Sequence, residues 1–223
     1  MRSSARSAQE GYFLNGIGDD WFDHNRSNLG KVDLVQKAFD ALQEQGFTPK
    51  SVLEVGCANG WRLKRIREQY GAKVSGIDPS TKAILEGRAV LGDETSLHIG
   101  VASELPFAKD QFDVVLFGFC LCLCDPSDWQ MVIAEANRVL TNRGILMIHD
   151  YYQDGDDLGV AVLPYQHTPP VPWYFYDWKK LWLSHPGYVL LCETHLPDET
   201  KSNLPEKVVV LQKLMPVPVV PAQ

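Results

Sequence analysis

Apolar positions in the chain follow two periods that take turns. Val52, Leu53 and Val55 form a short continuous run, while Val32, Leu34, Val35, Ala38, Phe39 and Leu42 recur every three or four residues. The pair predicts a buried strand preceded by an amphipathic helix over residues 31–45, closed by Gly46. A second helix follows Gly60, a second strand ends at Asp78, a third helix runs from Ser80, its N-cap, to about Ala89, and a third strand reaches Val101. A fourth strand ends near Phe119. Asp125 opens a helix over Met131 to Leu140 that stops at Asn142 to Gly144, and Ile145 to Asp150 form a fifth strand. Strands alternating with helices predict an α/β, doubly wound parallel sheet whose ligands sit at the carboxyl ends of the strands. That rule gathers Glu54 to Gly60, Asp78, Ala102 to Glu104, Phe117 to Phe119 and His149 to Tyr152 around one crevice.

Both ends break the pattern. Residues 1–10 are expected to be disordered, and Gly11 to Arg26 is glycine-rich, aromatic and acidic without a period, which suits a packing arm or a lid. Trp21, Phe22, His24, Asn25 and Arg26 are its candidates for closing a site. Beyond Tyr151, Pro164, Pro169, Pro170 and Pro172 interrupt an aromatic stretch that ends at Trp178, excluding a central strand or an unbroken helix. A long, proline-stiffened insertion fits a substrate-recognition loop. Lys179 to Ser184 reads as a short helix, Tyr188 to His195 and Lys207 to Lys213 as closing strands, and residues 215–223 as a loose tail. The expected organisation is one domain: an arm over 1–30, a cofactor-binding core over 31–150, the insertion over 151–178 and a closing unit over 179–214.

Gly56 to Gly60 is a tight, small-residue turn between a strand and a helix, where missing β-carbons let backbone N–H groups approach a ligand. Glu54, a carboxylate inside an apolar strand, is costly unless something at the strand's end requires it. A nicotinamide or flavin dinucleotide would need glycines at 56, 58 and 61, where the chain has Gly56, Ala58 and Trp61. Glu54-Val-Gly56-Cys-Ala58-Asn-Gly60 instead resembles motif I of class I S-adenosylmethionine-dependent methyltransferases, with Ala58 in place of the middle glycine. Three further stretches resemble the family in order: a second strand ending in Asp78-Pro79, Ala102-Ser103-Glu104 after the third strand, and Phe117-Gly118 at the end of the fourth. The resemblance covers roughly residues 31–150, and the chain is similar to small-molecule members with a ubiquinone/menaquinone-methyltransferase-like domain. It implies a Rossmann-like, mostly parallel seven-stranded sheet with helices on both faces and an antiparallel C-terminal strand. It also implies S-adenosylmethionine as cofactor, held by Glu54, Gly56, Cys57, Ala58, Gly60, Asp78, Pro79, Ala102, Ser103, Glu104, Phe117 and Gly118, with Asp78 on the ribose diol.

At 223 residues, 45% hydrophobic and 22% charged, the chain can bury one sizeable core. The start lacks an apolar run and no stretch of about 18 apolar residues exists, so neither a signal peptide nor a spanning helix is expected, and the reading is cytoplasmic without a membrane partner. A net charge of −7 disfavours a nucleic-acid partner. The local exception is Arg62, Lys64, Arg65 and Arg67 on one helix, read as a solvated face. Cys57, Cys120, Cys122, Cys124 and Cys192 lack zinc-site spacing and are expected to be small apolar thiols, with no metal.

Methyl transfer needs in-line alignment and, for a hydroxyl or amine acceptor, a proton acceptor. Histidine suits that task at neutral pH, which singles out His149 and His167, though either could instead orient a loop or contact substrate. Trp21, Tyr151, Tyr152, Tyr165, Tyr174 and Tyr176 are the expected substrate contacts. Phe117-Gly-Phe-Cys stands where many planar-nitrogen methyltransferases carry Asn/Asp-Pro-Pro-aromatic, which favours oxygen as acceptor. The arm and the Phe117 to Asp125 block resemble bacterial members associated with surface-sugar biosynthesis, so the expected acceptor is a small polar molecule of the sugar or nucleotide-sugar type. Two alternatives stand beside it: a non-catalytic module that keeps the cofactor site, and a methyltransferase acting on protein or tRNA.

Overall fold

The computed structural model describes residues 6–30, 33–92, 95–162, 170–195 and 205–214. His167 and Tyr165 lie outside the described residues, as do Lys31, Val32 and the tail after Leu214. Helices α1 (Ala8–Tyr12) and α2 (Gly18–Asn25) open the chain, followed by α3 (Leu34–Glu44), β1 (Ser51–Val55), α4 (Trp61–Tyr70), β2 (Lys73–Asp78) and α5 (Thr81–Leu91). Next come β3 (Ser96–Ile99), β4 (Phe112–Gly118), α6 (Trp129–Val139) and β5 (Leu140–Tyr151). The chain continues through β6 (Gly159–Val162), β7 (Pro172–Phe175), α7 (Lys179–Leu183), β8 (Tyr188–His195) and β9 (Glu206–Lys213).

Seven strands form one sheet in the order β3-β2-β1-β4-β5-β9-β8. β1 pairs in parallel with β2 and β4, and β5 in parallel with β4, whereas β9 runs antiparallel to both β5 and β8. Successive strand residues face opposite sides, so the apolar runs feed two cores. Val114 and Leu116 pack with Phe39, Leu63 and Ile84 under α3, α4 and α5, while Val115 and Phe117 pack with Val132 and Trp182 under α6 and α7. A strand covered on both faces must be apolar throughout, which explains the unalternating runs. The sheet is the expected Rossmann-like one.

Four local expectations change. The first ten residues are not all without structure, because Ala8–Tyr12 is helical, and the arm continues through a π turn kinked at Asn15 and Gly16 into α2. The fifth strand starts at Leu140 rather than Ile145 because Leu140 already pairs with Phe112; the ladder then shifts register, with Arg143 at φ +62°, before Ile145 pairs with Val114. The insertion holds a two-stranded ribbon, β6 against β7, with Pro172 at its end where no ladder donor is required. Arg62 does not belong to a solvated face: it is buried and its charge is matched by carboxylates. The five cysteines are free thiols, Cys192 being exposed, and among the described residues no group of three His, Cys, Asp or Glu could hold a metal. No helix among them is long and apolar enough to cross a membrane.

Candidate cofactor and acceptor site

The turn after β1 is built around positions that exclude or tolerate a side chain for stated reasons. Gly56 has φ +76°, and a β-carbon there would lie 2.7 Å from Cys120 Cβ and 3.0 Å from Gly118 O. Ala58 adopts φ +47°, a left-handed conformation that costs an alanine about 1 kcal/mol. Its N–H donates to Asp78 Oδ2 at 2.8 Å, which offsets that cost. Gly60, at φ +71°, closes the turn against Leu91 and starts α4.

Asp78 ends β2 on the cleft wall, and its other oxygen accepts from Ser80 N at 2.9 Å. One backbone donor per oxygen leaves further lone pairs for a diol. Burial raises its pKa to about 6, opposed by those two backbone bonds. Glu54 is only 1% exposed and does not reach the cleft wall, contrary to its expected contact with cofactor. Arg62 donates to its Oε1 and, from Nε, to Asp33 at 3.3 Å, and the guanidinium lies 4.6 Å from the Trp61 ring centroid. Glu54 Oε2 has no hydrogen-bond partner, and burial pushes this carboxyl up to about 7 against the pull of Arg62.

Two adjoining chambers share Trp21, Gly56, Gly118, Phe119 and Leu123. The first, about 680 Å³ of open space, is lined by Asp78, Pro79, Ala102, Gly118, Cys120 and Cys124 and by Glu10 and Phe13 of the arm. Of the expected cofactor residues, Gly56, Ala58, Asp78, Pro79, Ala102 and Gly118 line the two chambers. The others do not. Cys57 is buried behind the loop toward Gly76, Gly60 packs on Leu91, and Phe117 points into the core with its ring centroid 5.5 Å from that of Trp182. Ser103 donates to Glu10 at 2.5 Å, and Glu104 is exposed and paired with Arg6.

The arm is fixed over this chamber from both sides. Gln9 Nε2 donates to Leu123 O at 2.7 Å and to Pro172 O at 3.1 Å, while Asp19 Oδ1 accepts from Ser80 Oγ at 2.7 Å and Lys82 N at 2.9 Å. Gly18 has no room for a side chain, since a β-carbon would sit 2.9 Å from Phe13 O and 3.0 Å from Ser80 N.

The second chamber combines aromatic walls from Trp21, Trp61, Phe119, Tyr151 and Trp173 with Asn25, Asn28, Arg62, His149 and Glu206. His149 on β5 is buried, its ring centroid 4.2 Å from that of Phe119, and its Nε2 lies 3.5 Å from Glu206 Oε2. Burial holds its pKa below the usual histidine value, with Glu206 acting in the opposite sense. Trp21 and Tyr151 are on the wall as expected. Tyr152 is not: its hydroxyl meets His195 Nδ1 at 2.7 Å on another face. Tyr174 on the inward face of β7 packs on Trp129 in the core instead, and Tyr176, just beyond the strand, is half-buried against the same Trp129. Trp173, on the opposite face of β7, takes the cleft position. Sequence reading also passed over Glu10, Arg62 and Glu206 as site residues; only strand pairing, Tyr151 opposite Glu206, brings the last beside β5.

Among known proteins, the methyltransferase-domain family model matches residues 52–144. The chain is similar to a probable chloroplastic tocopherol O-methyltransferase of Oryza sativa subsp. japonica, 32% identical over 111 residues, covering 47% of this chain and 30% of that one. It is similar to a tRNA U34 carboxymethyltransferase of Sulfurimonas denitrificans, 30% identical over 146 residues, covering 63% and 44%. The matches span about half or less of the length of these curated relatives. The fold is shared with a Burkholderia thailandensis 1,6-didemethyltoxoflavin-N1-methyltransferase bound to 1,6-didemethyltoxoflavin and S-adenosylhomocysteine, at TM-score 0.70, 17% identity, and coverage of 96% and 94%. Residues 52–144 thus carry the methyltransferase-domain match, and the chain as a whole shares the fold of that methyltransferase.

Proposed function

We propose that the protein methylates a hydroxyl of a small polar acceptor, of the sugar or nucleotide-sugar type, with His149 as the proton acceptor. The observation that carries this is a buried imidazole on the cleft wall, neither of whose nitrogens has a hydrogen-bond partner, in the chamber that adjoins the Asp78 side of the crevice. The residues fit the cofactor: the Gly56 cradle has no room for a β-carbon, and Asp78 on the cleft wall keeps lone pairs beyond its two backbone bonds. S-adenosylmethionine, when bound, supplies a methyl group on a sulfonium that leaves as a neutral thioether. The chain itself must orient the acceptor, exclude water and take one proton. Neutral His149 takes the hydroxyl proton as the oxygen attacks, and the arm with Glu10 and Phe13 closes the chamber.

The acids at the start of the insertion are engaged elsewhere: Asp154 pairs with Lys207 at 3.2 Å and Asp156 with Lys180 at 2.6 Å. Asn25, Asn28, Arg62 and Glu206 supply polar contacts instead, and Trp61 and Trp173 offer flat faces. A second reading, tRNA methylation, is favoured by the similarity to the tRNA U34 carboxymethyltransferase. The acidic balance of the chain opposes it. Incubating the protein with methyl-labelled cofactor and separate panels of nucleotide sugars, phenols and tRNA tests the choice: label on a sugar hydroxyl is expected, and label on phenols alone or tRNA alone overturns it.

A further inference from the structure

Glu206 is a conspicuous acid to find at the start of a strand that is otherwise Val208, Val209, Val210 and Leu211. It sits opposite Tyr151 in the β5–β9 ladder, and its side chain is only 12% exposed. From there Oε2 lies 3.5 Å from His149 Nε2, within the same chamber; neither ring nitrogen makes a hydrogen bond, but Nε2 has this carboxylate as its neighbour. One ring nitrogen therefore faces a carboxylate and the other is left for something the chain does not supply.

The geometry points to Glu206 as a positioning residue that keeps the proton of neutral His149 on Nε2, so that Nδ1 is the bare nitrogen available to an acceptor proton. The inference rests on the reading of His149 as the base. A carboxylate can only accept from neutral imidazole, so the N–H must turn toward it, and the tautomer is fixed by that partner. The 3.5 Å separation is long for a hydrogen bond, and contacts of this kind tighten when a substrate completes the site. The Phe119 ring lies tilted against one side of the imidazole, its centroid 4.2 Å away. Other charged groups also act on this ring: Arg62 from α4 disfavours a second proton, and Asp33 ahead of α3 favours it. Neither is the closest carboxylate, so the tautomer choice falls to Glu206. Proton balance is simple: the acceptor hydroxyl loses its proton to Nδ1 as its oxygen gains the methyl group, giving an imidazolium whose Nε2–H already faces Glu206.

Nitrogen NMR of histidine-labelled protein saturated with S-adenosylhomocysteine tests this, with His149 assigned by comparison with His149→Asn. The expected wild-type spectrum shows the proton on Nε2 and a bare Nδ1. Glu206→Leu should lose that preference, and Glu206→Gln, which can still accept through its amide oxygen, should retain it while the protonation midpoint of His149 falls by up to about one unit. A wild-type proton on Nδ1, or a spectrum unchanged in Glu206→Leu, overturns the assignment; if that variant does not fold, an unmoved midpoint in Glu206→Gln does so. The readout does not depend on turnover. An acceptor screen that finds no His149-dependent methylation would sink the base role while leaving the Glu206–His149 pairing standing, and a wrong tautomer with active enzyme would do the reverse.

Discussion

Ala58 and Asp78, 20 residues apart, are joined by a backbone N–H to carboxylate hydrogen bond of 2.8 Å, so the loop that would cradle the cofactor and the acid that would hold its ribose form one unit. Asp78→Ala removes that bond, the Ser80 bond and the diol contact together. Affinity for S-adenosylhomocysteine should fall by about 2 kcal/mol or more, measured by calorimetry. Binding should also weaken below about pH 6, because the diol favours the ionised carboxylate and protonation of Asp78, raised to about 6 by burial, competes with it. Wild-type affinity in the variant would detach Asp78 from the cofactor.

The strand-turn-helix and the second acid were legible because they depend on local facts: which residues lack a β-carbon and which strand ends in a carboxylate. The acceptor side was not, because it is made by long-range pairing. Trp173 and Tyr174 are neighbours in sequence with opposite fates, and a choice of face on β7 decides which meets substrate. Arg62 looked like part of a solvated charge run, since nothing local shows that helix α4 turns it onto Glu54 and Asp33.

Arg62→Met should destabilise the fold by about 3–5 kcal/mol in thermal or denaturant unfolding, since it leaves Glu54 and Asp33 buried without their cation. Adding Glu54→Gln should recover part of the loss. A double variant as unstable as the single one would show that packing over Trp61, rather than charge, is what the guanidinium supplies.

Glu54 also sets a pH dependence. Its folded pKa of about 7 exceeds the unfolded value, so the folded state holds the extra proton between about pH 4.5 and 7. Stability from this group is therefore fully present below that window and lost as pH rises through it. Asp78 and Asp150, each raised to about 6, act in the same direction. Glu54→Gln should flatten part of the decline in melting temperature from pH 5 to 8; an identical slope would place the proton elsewhere.

Gly18→Ala tests the arm. The added methyl group meets Phe13 O, Ser80 N and Pro79 C, backbone atoms that cannot swing aside. The arm should lift from the Pro79–Ser80 turn, and S-adenosylhomocysteine affinity should fall by about tenfold while the sheet stays folded by circular dichroism. Unchanged affinity would make the arm packing alone.

The base assignment makes a prediction that separates chemistry from cofactor binding. Burial holds His149 below the ordinary histidine pKa, so it is already neutral at pH 7 and turnover should be flat from there upward. As pH falls through the lowered value the imidazole gains its proton and the base is lost, so kcat at saturating cofactor should decline on the acid side. Asp78 and Glu54 also titrate near this range, but Asp78 acts on cofactor affinity and is held ionised by saturating cofactor through its diol bonds, and Glu54, away from the cleft wall, acts on stability. The acid limb of kcat therefore reports His149. His149→Ala should lower kcat by about 100-fold or more and remove that limb, while the affinity for S-adenosylhomocysteine and its own decline below about pH 6 persist. Trp173→Ala, on the same wall but in the separate β6–β7 ribbon, should raise KM with the limb intact, because it removes a contact face and no titrating group. A kcat profile whose acid limb survives in His149→Ala would assign the proton to another group.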